Sequence, residues 1–182
     1  MIKQVFVPLH VSEQETGDLL EFYTRPQLVN PEEIFSGLTG TGLELGIAKA
    51  KRIFNKLDIK YGNGIVYCVN SQPPLINPES VALSLLLISQ IAQPQATYSK
   101  LIVCADIIEN DCLSLSETGH WQQKLSAIFR LGKQDNAVPL ILPVSHKVLL
   151  RSNCHDWLAL TGNNVLPYFF SNVGEVLRFI LP

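Results

Sequence analysis

The 182 residues are enough for one domain with a real core, and no repeat, low-complexity tract or linker-like segment divides them. Charged residues make up only 16% of the chain against 47% apolar. That share is well below the usual figure of about a quarter, so much of the surface must be neutral or apolar, and a homo-oligomer contact is the expected use for it. A net charge of -2 without any basic run argues against nucleic-acid binding as a main role. The densest cluster, Lys49, Lys51 and Arg52, reads as a solvated helix face. Four scattered cysteines and four scattered histidines show no zinc spacing, so no metal or cofactor is expected. Met1 to Val5 lacks the apolar block of a signal peptide, and the longest apolar run, Val81 to Ile88, is broken by Ser84 and too short to span a bilayer. A soluble, cytoplasmic protein without a membrane partner is the expectation.

In chain order, Val5 to Val11 is β-rich, Glu13 to Asp18 is polar and turn-like, and Leu19 to Thr24 reads as a return strand, which predicts a hairpin. A loop from Arg25 to Pro31 leads to a short strand at Ile34 to Thr39 and the Gly40-Thr41-Gly42 break. Leu43, Ile47, Ala50, Phe54 and Leu57 then recur at helical steps, with Lys49, Lys51, Arg52 and Lys56 off that stripe. Ile65 to Val69 suits a buried strand. Pro-rich Gln72 to Pro78 precedes a helix from Glu79 to Ala92 that is apolar nearly all round and so belongs at the centre of the domain. Lys100 to Ala105 is a further buried strand, followed by an acidic connection through Asp106, Glu109 and Asp111. A helix from Gly119 to Leu131 carries Trp121, Leu125 and Ile128 on one stripe and stops at Gly132. Val138 to Leu142 and Leu166 to Phe170 read as strands, and Val173 to Leu181 as a closing helix. Strands alternating with helices predict an α/β or α+β domain with a mixed sheet and packed helices.

Four stretches carry a family resemblance. Leu38-Thr39-Gly40-Thr41-Gly42-Leu43-Glu44 resembles the Leu-Thr-Gly-x-Leu-Gly turn of Lon-type proteolytic domains. Ile65 to Val69, a proline-containing loop and Asn77-Pro78-Glu79-Ser80-Val81-Ala82-Leu83 resemble their strand, loop and Gly-Pro-Ser-Ala-Gly segment. Gly119-His120-Trp121-Gln122-Gln123-Lys124-Leu125-Ser126-Ala127 resembles their Gly-Gly-x-Lys-Glu-Lys-Leu-x-Ala helix start. Val138 to Pro143, with Val165 to Tyr168 and Val173 to Leu177, resembles their Val-Ile-Ile-Pro strand and closing Val-x-Glu-Val-Leu helix. The resemblance implies a degenerate, stand-alone domain of ribosomal protein S5 domain 2-like fold over residues 1–182, with a β-hairpin region at 1–38 and the protease-like core at 39–182.

It also implies an impaired active site. Lon-type proteases use a Ser-Lys dyad, in which a lysine accepts the proton of a serine hydroxyl that is otherwise a poor nucleophile. The serine falls on Ser80, but the lysine position falls on Gln122, whose amide has no basic lone pair. Losing a general base costs about 10²–10⁴-fold in rate. Lys124, two residues on, is turned to nearly the opposite side of the helix from Gln122. His120 stands where the family has its second glycine, and Glu79, Val81 and Ala82 replace small residues around the serine. Ser80 also reads as a plain helix N-cap. The resulting expectation is a catalytically inactive Lon-like domain that acts as an oligomerisation or protein-interaction module, with another protein or a separate ATPase as possible partner. The alternatives are a serine peptidase pairing Ser80 with Lys124 or His120, and a nucleic-acid-associated S5-like domain.

Overall fold

The computed structural model describes residues 2–9, 17–69 and 78–181. Strands β1 (Lys3–Leu9) and β2 (Asp18–Thr24) pair antiparallel along their full length, from Lys3 opposite Thr24 to Leu9 opposite Asp18. This is the expected hairpin; its connection, with His10, Val11 and Glu13, lies outside the described residues. The chain continues through helix α1 (Glu44–Leu57), strand β3 (Val66–Cys68), helix α2 (Ala82–Ile91) and strand β4 (Lys100–Val103). A small hairpin, β5 (Asp106–Ile107) and β6 (Leu115–Ser116), precedes helix α3 (Trp121–Arg130) and strand β7 (Val138–Pro143). Helices α4 (His146–Ser152) and α5 (Cys154–Gly162), strand β8 (Val165–Phe170) and helix α6 (Val173–Ile180) complete it. The main sheet has six strands in the order β3-β2-β1-β4-β7-β8, and the pairs from β1 through β4 and β7 to β8 are parallel.

Side-chain alternation along the strands builds two cores. Val5, Val7, Leu101, Val103 and Ile141 face one way, into α1, α2 and α6, whereas Phe6, Ile102, Cys104, Leu140 and Leu142 face α3, α4 and α5. The mixed α/β class expected from the sequence is therefore present as a sheet between two helical layers. All ten residues of α2 are buried, which is where an all-round apolar helix has to go. Its two polar residues near the end anchor the preceding loop. The Ser89 hydroxyl accepts from the Gly62 N–H at 2.9 Å, and Gln90 Nε2 donates to the Lys60 carbonyl at 2.9 Å.

Three elements depart from expectation. Ile34 to Thr39 is not a strand but two 3₁₀ turns around Pro31–Glu33 and Ser36–Leu38. The buried positions are Ile34, Phe35 and Leu38, a helical spacing rather than an alternation, and the Thr39 and Thr41 hydroxyls tighten the turns by donating to the carbonyls of Ser36 and Leu38. Among the described residues β3 pairs with β2 alone and forms an edge of the sheet, with Tyr67 exposed rather than buried. Between β7 and β8, where the sequence reading assigns no element, stand α4 and α5; each is short, and α5 has little amphipathic contrast to announce it.

Candidate functional site

Ser80 lies in a 3₁₀ turn, Pro78–Val81, that opens α2. Val81, not Ser80, occupies the N-cap position of α2, and no side chain caps it. The N-cap reading of Ser80 is thereby corrected: the extra turn moves the serine one residue upstream of the α-helix proper. This turn packs against α1 and against β5. Asn77 and the Pro-rich segment from Gln72 lie outside the described residues.

The basic cluster on α1 is not a uniformly solvated face. Lys51 is exposed, but Lys49 is buried and its ammonium pairs with Asp106 of β5 at 3.1 Å. Arg52 makes a two-point contact with Glu109, with 2.7 Å for the closer pair, and Lys56 donates to the Asn110 carbonyl at 2.6 Å. The acidic connection after β4 is thus clamped on α1, and it brings Asp106 to the Ser80 turn. The signal was present in the sequence as opposite charges, four cations on α1 and three acids at 106, 109 and 111.

On α3 the two amine-position candidates are sorted by burial. Gln122 is exposed, whereas Lys124 is buried beside Leu125, Ala127 and Ile128. Lys124 thus lies on the packed face without any shift of helix register. Its ammonium donates to the Thr118 carbonyl. Burial pulls its pKa below the ordinary lysine value, and Cys104 and Asp106 act in the opposite direction. Cys104 is fully enclosed at the end of β4; burial pushes its thiol pKa up, against Lys124 and a 3.5 Å contact with the Thr118 hydroxyl. A thiol held protonated in this way is a poor nucleophile and metal ligand.

His120 occupies the N-cap of α3 with a left-handed backbone, φ 52° and ψ 45°, directly after Gly119 at φ 58°. Two consecutive left-handed residues are the conformation in which a pair of glycines is most at ease, and the Gly-Gly of the resembled motif falls on them. His146 at the start of α4 stacks edge-on against Trp121 with ring centroids 5.0 Å apart, and its Nδ1 is 4.0 Å from Glu117. Burial lowers the His146 pKa, which Glu117 opposes and Lys124 reinforces, so protonation of the ring is disfavoured. Sequence reasoning missed His146 and Cys104 as neighbours of Lys124, because they come from separate elements joined only by the fold.

Among the described residues there is no group of three or more histidine, cysteine or acidic side chains able to hold a metal ion, and no helix is long and apolar enough to cross a membrane. Comparison with family models and with curated proteins finds no match for this chain.

Proposed function

We propose that this chain is a Lon-like domain without peptidase chemistry, whose work is done by its surface as an oligomerisation or protein-interaction module. The observation that carries the reading is an exposed apolar face on α4 and α5. Val148 is 72% and Leu158 66% exposed, and Val144, Leu149 and Trp157 are exposed beside them. Scattered apolar side chains on a surface are ordinary; four of them on two consecutive helices, with Val144 in the turn before, are the kind of concentration that marks a protein contact. The chemistry of the site agrees with this reading. Gln122 supplies no base, the Lys124 ammonium donates a hydrogen bond to the Thr118 carbonyl, and Glu79 sets a carboxylate next to Ser80 in sequence, where an oxyanion would have to be stabilised.

A second reading, a peptidase pairing Ser80 with Lys124, is favoured by one observation: burial lowers the Lys124 pKa, and Asp106, which interacts with that lysine, lies on the strand that the Ser80 turn packs against. Incubation with an unfolded protein such as casein separates the two. The interaction-module reading expects no cleavage by the wild type. Cleavage that disappears in both Ser80→Ala and Lys124→Met, with each variant still folded, would overturn it.

A further inference from the structure

A groove of about 440 Å³ runs between α4, α5 and β8, lined by Trp157 and Leu158 of the exposed apolar set. Leu150, Trp157, Leu158 and Phe169 of β8 supply its apolar walls, and Lys147 and Arg151 its rim. Both rim cations are exposed, and neither has a salt-bridge partner among the described residues. The only acid on these two helices, Asp156, is buried. The groove therefore calls for an occupant with an apolar anchor and adjacent carboxylates.

A segment of that description lies at the other side of the same molecule. Leu28, in the loop after β2, is 93% exposed, the highest value for a large apolar side chain among the described residues. Two consecutive carboxylates, Glu32 and Glu33, follow it on a 3₁₀ turn and are also exposed. Proline at 26 and 31 limits the backbone freedom of the segment, which lowers the entropy cost of ordering it against a partner. The carbonyl of Ile34, directly after the acids, accepts from Val66 of β3. The acidic end is thus anchored near one edge of the main sheet, and the groove lies at the opposite edge, beside β8.

We infer that this chain self-associates head to tail, the Leu28–Glu33 segment of one copy entering the α4–α5 groove of the next. Leu28 fills the apolar floor between Trp157 and Leu158, and Glu32 and Glu33 meet Lys147 and Arg151. A two-fold contact of groove on groove would bring the rim cations of both copies together, which like-charge repulsion opposes. Using two different surfaces avoids that repulsion, and a pair still has one free groove on one copy and one free segment on the other, so assembly proceeds beyond a pair. This inference rests on the interaction-module reading and supplies its partner, a second copy of the chain.

Sedimentation velocity over a concentration series tests it. The wild type is expected to grow in mass with concentration, and to do so less at high salt. Leu28→Asp and Leu158→Asp are both surface changes, and each is expected to weaken association at least about tenfold, as loss of a central apolar anchor does. Mixing them provides the discriminating measurement. Leu28→Asp keeps an intact groove and Leu158→Asp an intact segment, so the mixture is expected to form a one-to-one pair and nothing larger. The charge-reversed chain Glu32→Lys/Glu33→Lys should be monomeric and regain association when Lys147→Glu/Arg151→Glu is added. A wild type that stays monomeric at several hundred micromolar overturns the inference, as does an assembly indifferent to Leu28→Asp. Neither result touches the absence of peptidase chemistry, which the casein assay decides separately.

Discussion

Gly62 offers a sharp test of how the loop after α1 seats on the central helix. A Cβ built on Gly62 would stand 1.6 Å from the Ser89 carbonyl oxygen and 2.7 Å from its carbon, where real Cβ contacts stay beyond 3.0 Å. The Gly62→Ala loop must therefore lift by at least 1.4 Å, because α2 is buried on every side and cannot yield. Lifting it breaks the Gly62 N–H bond to the Ser89 hydroxyl and the Gln90 bond to the Lys60 carbonyl. Each lost bond costs about 1 kcal/mol, and more where a buried partner is left unsatisfied. Tyr61 is dragged away from Phe54 and Phe35, whose ring centroids lie 4.2 and 6.2 Å from its own; each such ring pair contributes about 0.5–1.5 kcal/mol. The sum is a loss of roughly 3–5 kcal/mol, or a fall in Tm on the order of 10 °C for a chain of this size. Gly162 at the end of α5 is the control. Nothing lies within 4 Å of its Cβ position and its φ is not positive, so Gly162→Ala is expected to stabilise by about 0.4–1 kcal/mol. Urea unfolding followed by circular dichroism reads both. A loss below about 1 kcal/mol for Gly62→Ala, with the denaturant slope unchanged, would refute the seating of this loop on α2.

Asp58 closes α1 in a left-handed conformation at φ 49°, with its carboxylate exposed at the negative end of the helix dipole. Asp58→Gly removes both penalties and is expected to raise stability by about 1 kcal/mol, read as a Tm increase of about 3 °C; an unchanged or lower Tm would contradict the cap geometry. His146 has a folded-state pKa below its ordinary 6.5, so between those two values the unfolded chain binds the extra proton and stability falls as pH drops. His146→Phe, which keeps the ring against Trp121, is expected to flatten the urea midpoint over that acidic window, and a slope equal to the wild type's would place the titration elsewhere. For Lys124, also lowered, the same sign holds on the alkaline side: stability rises with pH from its folded pKa towards 10.5, and Lys124→Met should abolish that rise.

The order of most elements was legible because their patterns are long or extreme. The five-residue stripe along α1 and the nearly all-round apolar surface of α2 leave only one way to bury each, and the apolar runs of β1, β4 and β7 fit strands covered on both faces. What was not legible depends on contacts between distant segments. The β5–β6 hairpin is only two residues on each side and owes its place to the clamp of Lys49 and Arg52 on Asp106 and Glu109. Helices α4 and α5 are held by single buried leucines, Leu150 and Leu160, and present most of their apolar residues outward. Their pattern is that of a surface awaiting a partner, so a reading that assumes apolar means inside cannot recover it.

The position of Lys124 follows from the stripe on its own helix. At about 100° per residue, Lys124 lies roughly 40° from Ile128 and 60° from both Trp121 and Ala127, whereas Gln122 lies about 160° away. The arc that buries Leu125 and Ile128 has Lys124 near its middle, and packing the tryptophan and isoleucine against the sheet carries the lysine inward with them. A charged group in that arc needs partners, and the fold supplies the Thr118 carbonyl to accept its hydrogen bond and the Asp106 carboxylate within electrostatic reach. Asp106, on β5, is in turn paired with the buried Lys49 of α1. The two buried lysines and their shared acid therefore link α1, β5 and α3, and the first two of these pack against the turn that holds Ser80. That linkage gives these side chains a reason to persist in this fold whether or not Ser80 ever acts as a nucleophile.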